Sequence, residues 1–125
     1  MIELRPVGYF DRSGKSEHGE PSLQEIISDV PHPDEERITH YLRDGFGLWG
    51  CGGVERDILN PGAEIYLDLD IFTDGVWKWP AYLAYYVETY HARLPEQFVA
   101  NMRANNWTVP AGLKASYYLP PRRNG

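Results

Sequence analysis

The feature that most constrains the fold is an alternation between residues 64 and 72, where every second position is aliphatic: Ile65, Leu67, Leu69 and Ile71. Successive side chains of a strand point to opposite faces of a sheet, so this period of two predicts a half-buried strand. Residues 73–75, Thr-Asp-Gly, have turn chemistry, and residues 76–79, Val-Trp-Lys-Trp, have the composition of a return strand. The sequence therefore predicts an antiparallel hairpin.

Start and stop signals predict four helices around this hairpin. The predicted helices cover approximately residues 22–30, 33–45, 80–91 and 95–106. Each begins at a capping box, at a proline or at a run of acids. Further strands are predicted at residues 2–10, where Pro6 favours a sheet edge, in the Gly-rich segment 46–53, and at residues 114–119. This order predicts an α+β fold with a mainly antiparallel sheet and about four helices. Residues 1–119 are interpreted as a single domain and residues 120–125 as a disordered tail.

Composition argues against several classes of protein. Hydrophobic residues make up 42% of the 125 residues, and the mean hydropathy is −0.49, which disfavours both a disordered chain and a membrane-spanning segment. The first residues lack the pattern of a secretory signal, and the single cysteine, Cys51, has no partner for an internal disulfide. We therefore expect a cytoplasmic protein. The net charge of −6 makes nucleic acid a poor partner.

Familiar chemical motifs are weak in this chain. Residues 45–50 fit G-x-G-x-x-G, but a predicted helix precedes the first glycine where a dinucleotide site needs a strand. The four histidines share no metal-ligand spacing, and Glu88-x-x-His91 occurs once where a di-iron bundle needs two copies. Cys51 has no neighbouring base that would activate it as a nucleophile. We therefore expect no cofactor and no metal.

Acidic residues are concentrated in one part of the chain. Residues 1–76 hold 16 acids and 6 bases, whereas residues 77–125 hold 2 acids and 6 bases. Asp68 and Asp70 are two positions apart on the predicted strand, which places them about 7 Å apart on one face, and Asp74 lies in the turn. They are open to three interpretations: an ordinary solvated sheet face, an acid/base or metal-binding pair, or a carboxylate surface that imitates a phosphate backbone and fills a basic cleft. That last surface would also include Glu55, Asp57 and Glu64.

Aromatic side chains form a second concentration. Trp77 and Trp79 share one face of the return strand, and the next helix carries four tyrosines, Tyr82, Tyr85, Tyr86 and Tyr90. This helix is apolar on nearly every side, so it must be covered on nearly every side. One interpretation is a tyrosine-rich contact surface for a partner; the other is that the rings complete the core while their hydroxyls reach water.

Residues 73–107 resemble the C-terminal hairpin and two helices of small uncharacterised bacterial proteins. The resemblance rests on Thr73-Asp74-Gly75, the Trp77-x-Trp79-Pro80 link, the Tyr-rich helix and Leu94-Pro95, and it covers under a third of the chain. It implies a bacterial origin and a single compact unit, and it transfers no activity and no catalytic residues.

We interpret the sequence as a non-enzymatic, acidic protein-binding domain, of the kind that includes toxin-immunity and inhibitor proteins. In this interpretation Asp68, Asp70 and Asp74 supply charge against a basic partner, and Trp77, Tyr82 and Tyr85 are apolar anchors. The alternative is a small ligand-binding domain or enzyme with a pocket between the hairpin and the Tyr-rich helix, in which Asp68 or Asp70 meets His40 or His91. A homodimer through the aromatic helix is a third alternative.

Overall fold

The computed structural model describes residues 3–115. Its elements in chain order are β1 (Arg5–Pro6), α1 (Leu23–Ile26), α2 (Glu35–Arg43), β2 (Phe46–Trp49), β3 (Gly53–Asp57), β4 (Asn60–Leu67), β5 (Ile71–Thr73), β6 (Trp77–Pro80), α3 (Leu83–Tyr90) and α4 (Glu96–Ala104). Four strands form a main sheet in the order β1-β6-β5-β2, and β3 and β4 form a separate two-stranded ribbon. All pairs are antiparallel except β1 with β6. The predicted α+β fold is confirmed.

The helix signals are confirmed with small shifts, and one of them is wrong. Ser22 caps α1 by accepting a hydrogen bond from the Glu25 N–H at 3.3 Å, and Pro95 is the cap residue of α4. Pro80 was expected to begin the Tyr-rich helix, but it ends β6, and α3 starts at Leu83. A proline, which has no backbone N–H, fits there because β1 pairs only with the first two residues of β6 and accepts no hydrogen bond from residue 80.

The long central strand is the main correction to the sequence-based fold. The predicted strand is divided at residues 68–70: β4 ends at Leu67 in the ribbon, and β5 begins at Ile71 in the main sheet. Its aliphatic residues do not pack together as predicted, because Ile65 and Leu67 contribute to the main core whereas Ile71 packs in a second cluster with Leu4 and Leu48. The Gly-rich segment before β3 crosses this point so closely that a Cβ on Gly52 would fall on the carbonyl oxygen of Leu67. The chain therefore changes sheets there, and only the shorter hairpin of β5 and β6 matches the prediction.

The core lies between the main sheet and the helices. Trp77 and Trp79 from β6 lie against Phe98 of α4, with ring centroids 5.0 and 5.3 Å apart. The Trp79 indole N–H also donates to the carbonyl of Leu42 at 3.1 Å, which joins α2 to the sheet. These aromatic contacts fix the position of β6, and through it the start of α3.

Two sequence predictions fall at the C-terminal end. Most of the predicted strand at residues 114–119, and the whole tail at 120–125, lie outside the described residues. Within residues 3–115, no helix has the length and apolarity needed to cross a membrane.

Candidate protein-binding surface

The β3–β4 ribbon has two chemically different faces. In its register Val54 pairs with Tyr66, Glu55 with Ile65 and Arg56 with Glu64. Ile65 is buried and belongs to the core, so its face is directed towards the rest of the molecule. Because side chains alternate along a strand, the opposite face carries Val54, Arg56, Glu64 and Tyr66. We call these four residues the outer ribbon face.

A buried carboxylate fastens the ribbon to α3. Asp57 is 1% exposed, and its Oδ2 accepts hydrogen bonds from the hydroxyls of Tyr85 at 2.7 Å and Tyr90 at 2.6 Å. Its Oδ1 accepts the backbone N–H groups of Leu59 and Asn60 at 2.8 and 3.1 Å. Burial opposes the charged form, but these hydrogen bonds outweigh it and hold the pKa of Asp57 below its usual value. Asp57 therefore links the ribbon to α3 through buried hydrogen bonds and does not belong to an acidic surface.

The tyrosines of the Tyr-rich helix make hydrogen bonds within the molecule through their hydroxyl groups. The Tyr86 hydroxyl accepts the Ile58 N–H at 2.9 Å, and the Tyr82 hydroxyl accepts the Phe10 N–H at 3.1 Å. Burial raises the pKa of each of these two tyrosines to about 12. Tyr82 and Tyr85 are only partly exposed, and their hydroxyls are engaged within the molecule instead of reaching water. The apolar helix is thus covered within the same chain: it packs against α2, and its tyrosine hydroxyls hydrogen-bond to Asp57 and Ile58 at the end of β3.

Trp77 does not lie on the surface where the sequence placed it. Its side chain is 4% exposed, stacks on Phe98, and is covered by the guanidinium of Arg5, 4.1 Å from the ring centroid. The reason is the strand face: Trp77 and Trp79 both point to the helical side of the sheet. Trp77 is a core residue and offers no anchor to a partner.

Asp74 is also buried, contrary to the expectation of a charged turn residue on the surface. It is 1% exposed, and its Oδ2 accepts hydrogen bonds from the Tyr41 hydroxyl at 2.7 Å and the Asn101 amide at 2.9 Å. Its Oδ1 accepts the backbone N–H groups of Val76 and Trp77 at 3.0 and 2.7 Å. Asp74 therefore joins the hairpin turn to α2 and α4, and its charge is used internally.

Asp68 and Asp70 are exposed, but they lie in the crossing between the two sheets and not on a strand face. Two further exposed carboxylates belong to the adjoining ribbon: Glu64 lies on the outer ribbon face, and Glu55, the register partner of Ile65, lies on the opposite face. Within residues 3–115, no basic side chain forms an ion pair with any of these four. We call Glu55, Glu64, Asp68 and Asp70 the acidic surface.

One exposed aromatic residue, Tyr66, is not among the binding residues predicted from the sequence. Tyr66 is 77% exposed, and its cross-strand partner Val54 is 55% exposed. The Tyr66 hydroxyl donates to Glu64 Oε2 at 2.9 Å, so an aromatic ring adjoins a carboxylate of the acidic surface. The alternation contained the signal, because it places Tyr66 on the face opposite Ile65 and Leu67.

The alternative site, a carboxylate meeting a histidine in a pocket, is not formed by the predicted residues. Neither Asp68 nor Asp70 lines any of the described grooves. His40 Nε2 lies 2.9 Å from Asp44, and His91 Nδ1 lies 2.8 Å from Glu35, both away from the acidic surface. Among residues 3–115 there is no group of three or more side chains able to hold a metal ion.

A groove does exist between the ribbon and the Tyr-rich helix. Its volume is about 500 Å³, and Tyr82, Tyr86 and Ile65 line it, together with the loop from Phe10 to Arg12. This volume is within the range of small-molecule sites. The groove differs from the predicted pocket because the ribbon, and not the hairpin of β5 and β6, forms its wall.

No family model, no curated protein and no solved structure matches this chain. The function must therefore be inferred from the surfaces that the chain itself presents.

Proposed function

We propose that this protein is a non-enzymatic protein-binding domain that holds a basic protein against the acidic surface. In its specific form, the protein is a toxin-immunity or inhibitor protein that covers a basic site on its target. Asp68 and Asp70 supply charge at the crossing between the sheets, Glu64 adds charge on the outer ribbon face, and Glu55 adds charge on the opposite face of the ribbon.

The proposal is carried by one observation: the carboxylates of the acidic surface are exposed and uncompensated. Residues 50–70 contain five acids and a single base, Arg56. Of the five acids only Asp57 is buried, so four negative charges face solvent around one positive charge. Unpaired like charges repel each other and do not stabilise the folded state, but they attract a basic partner and accelerate its association.

Apolar area beside the charge supports binding over simple solvation. Charge complementarity mainly supplies specificity and association rate, whereas buried aromatic side chains supply most of the affinity in a contact. Tyr66 and Val54 provide exposed apolar area next to Glu64. They replace Trp77, Tyr82 and Tyr85 as the anchors of the proposed contact.

The experiment is a pull-down from a lysate of the source organism, followed by a titration of the retained protein in purified form. The test variant is Asp68→Lys/Asp70→Lys, and the control is Glu25→Lys/Asp29→Lys, which makes the same change in net charge at two other exposed acids. We expect a basic protein whose affinity falls at least about tenfold in the test variant and much less in the control.

An equal loss in both variants would show that only net charge matters, and it would refute a defined acidic surface. Retention of the same partner by the test variant, with unchanged affinity, would refute the proposal as a whole.

A second candidate function, small-molecule binding, is favoured by the groove between the ribbon and α3. Titration of ¹⁵N-labelled protein with a fragment library would test it. Shifts confined to the amides of the residues that line the groove, namely 10–12, 54–58, Ile65, Tyr82 and Tyr86, would support this function. No shifts, or shifts elsewhere, would exclude the groove as the site.

A further inference from the structure

We infer that the outer ribbon face recognises an arginine side chain of the partner, with the guanidinium over the ring of Tyr66 and its N–H groups directed to Glu64. This inference rests on the proposed function and names the chemistry of the contact. It predicts a preference for arginine over lysine that depends on the ring of Tyr66.

The first support is the geometry of the ring and the carboxylate. Glu64 and Tyr66 are two positions apart on β4, so they share the outer ribbon face. The hydrogen bond of 2.9 Å from the Tyr66 hydroxyl to Glu64 Oε2 holds the two groups together. An exposed aromatic ring beside a carboxylate combines the two interactions that a guanidinium makes best: contact with a ring face and hydrogen bonds to oxygen.

The second support is the cross-strand neighbour of the ring. Val54 is the register partner of Tyr66, and partners on one face of an antiparallel pair have Cβ atoms about 5 Å apart. An aliphatic neighbour at this distance limits the motion of the ring without contributing a charge. The ring itself remains 77% exposed, so it is accessible to a partner.

The third support is that the chain does not neutralise Glu64. Arg56 is its register partner, but the Arg56 guanidinium donates to the carbonyl of Pro61 at 3.3 Å. No described basic side chain lies within ion-pair distance of Glu64. An external cation can therefore bind this carboxylate without displacing an internal ion pair.

Arginine fits this arrangement better than lysine. A guanidinium is planar and weakly hydrated, so it can lie on a ring while its edge donates to a carboxylate, whereas an ammonium is a strongly hydrated point charge. The molecule itself uses the arginine geometry elsewhere: Arg5 lies 4.1 Å from the Trp77 centroid, and Arg103 lies 5.5 Å from that of Trp107.

The test compares labelled hexa-arginine and hexa-lysine peptides, which carry equal charge, by fluorescence anisotropy with the full chain at physiological salt. We expect hexa-arginine to bind wild type about two- to fivefold more tightly. Tyr66→Leu should make the affinities of the two peptides nearly equal, whereas Tyr66→Phe should retain most of the preference for hexa-arginine because the ring remains. Glu64→Gln should weaken hexa-arginine more than hexa-lysine. Tyr66 is exposed, so these variants are expected to fold, and circular dichroism checks that they do.

Equal affinities of the two peptides for wild type, no binding of either peptide, or a ratio that survives Tyr66→Leu would each overturn the arginine inference. The proposed function would stand in these cases if Asp68→Lys/Asp70→Lys still lost the cellular partner. Conversely, a preference for hexa-arginine together with an unaffected partner in the Asp68→Lys/Asp70→Lys variant would refute the proposed function, because the partner would then bind without the charge of Asp68 and Asp70.

Discussion

The buried carboxylate of Asp74 provides the sharpest test of how this fold is held together. It accepts hydrogen bonds from Tyr41, Asn101 and the backbone N–H groups of Val76 and Trp77, at 2.7 to 3.0 Å. Asp74→Ala removes the acceptor for all four donors at once. The substitution therefore leaves buried donors without partners in α2 and in the hairpin turn.

The magnitude follows from which donors are buried. The bonds from the Tyr41 hydroxyl and the Trp77 N–H are fully buried, and the other two are partly buried. Each buried donor left unpaired costs about 1–3 kcal/mol, so the two together predict a loss of about 2–6 kcal/mol. Such a loss would lower the Tm by at least about 6 °C in a domain of this size.

Asp74→Asn should cost less, about 1–2 kcal/mol. An asparagine oxygen can still accept the two backbone N–H groups, but its amide group would face the amide donor of Asn101. The expected order of stability is wild type, then Asp74→Asn, then Asp74→Ala.

The assay is urea unfolding followed by tryptophan fluorescence, which reports on Trp77 and Trp79 in the core. Asp70→Ala is the matched control, because Asp70 is an exposed carboxylate without an ion pair among the described residues, and it should change stability by less than about 0.5 kcal/mol. A cost of less than about 1 kcal/mol for Asp74→Ala, or a cost no greater than that of Asp70→Ala, would contradict the role of Asp74 as a buried hydrogen-bond acceptor.

Two further predictions concern the ribbon. Gly52→Ala should cost more than about 2 kcal/mol in urea unfolding, because φ is +73° and the new Cβ would meet the Leu67 carbonyl oxygen. Gly19→Ala, at φ +78° with open space around it, should cost only about 1 kcal/mol, and equal effects would argue against the close crossing. The pKa of Asp57 is lower in the folded than in the unfolded chain, so its contribution to stability is present above about pH 4 and is lost as the pH falls through the folded-state pKa. Asp57→Asn should therefore flatten the decline of stability below about pH 4, and an unchanged slope would contradict the role of Asp57 as a charged tie.

Local signals in the sequence were sufficient for most of the secondary structure. The cap at Ser22, the proline before α4 and the alternation over residues 64–67 each depend on neighbours within a few positions, and each is found in the structure. The exposure of Asp68 and Asp70 agrees with the sequence prediction, although they lie in the crossing between the sheets and not on the predicted strand face.

Which acids carry surface charge was decided only by tertiary structure. Asp74 is buried because Tyr41, 33 positions away, and Asn101, 27 positions away, donate to it. Asp57 is buried because Tyr85 and Tyr90, 28 and 33 positions away, do the same. No local pattern distinguishes these two carboxylates from Asp68 and Asp70.

Local patterns along the chain are enough to predict an acidic α+β fold with a hairpin, four helices and a concentration of carboxylates before residue 76. Long-range contacts are needed to explain why the predicted central strand is divided between two sheets, why Trp77 points inward and why Tyr66 points outward. Alternation predicts which side chains share a face of a strand, but it does not predict which other element covers that face. In this chain α4 covers the face of Trp77, and no described element covers the face of Tyr66.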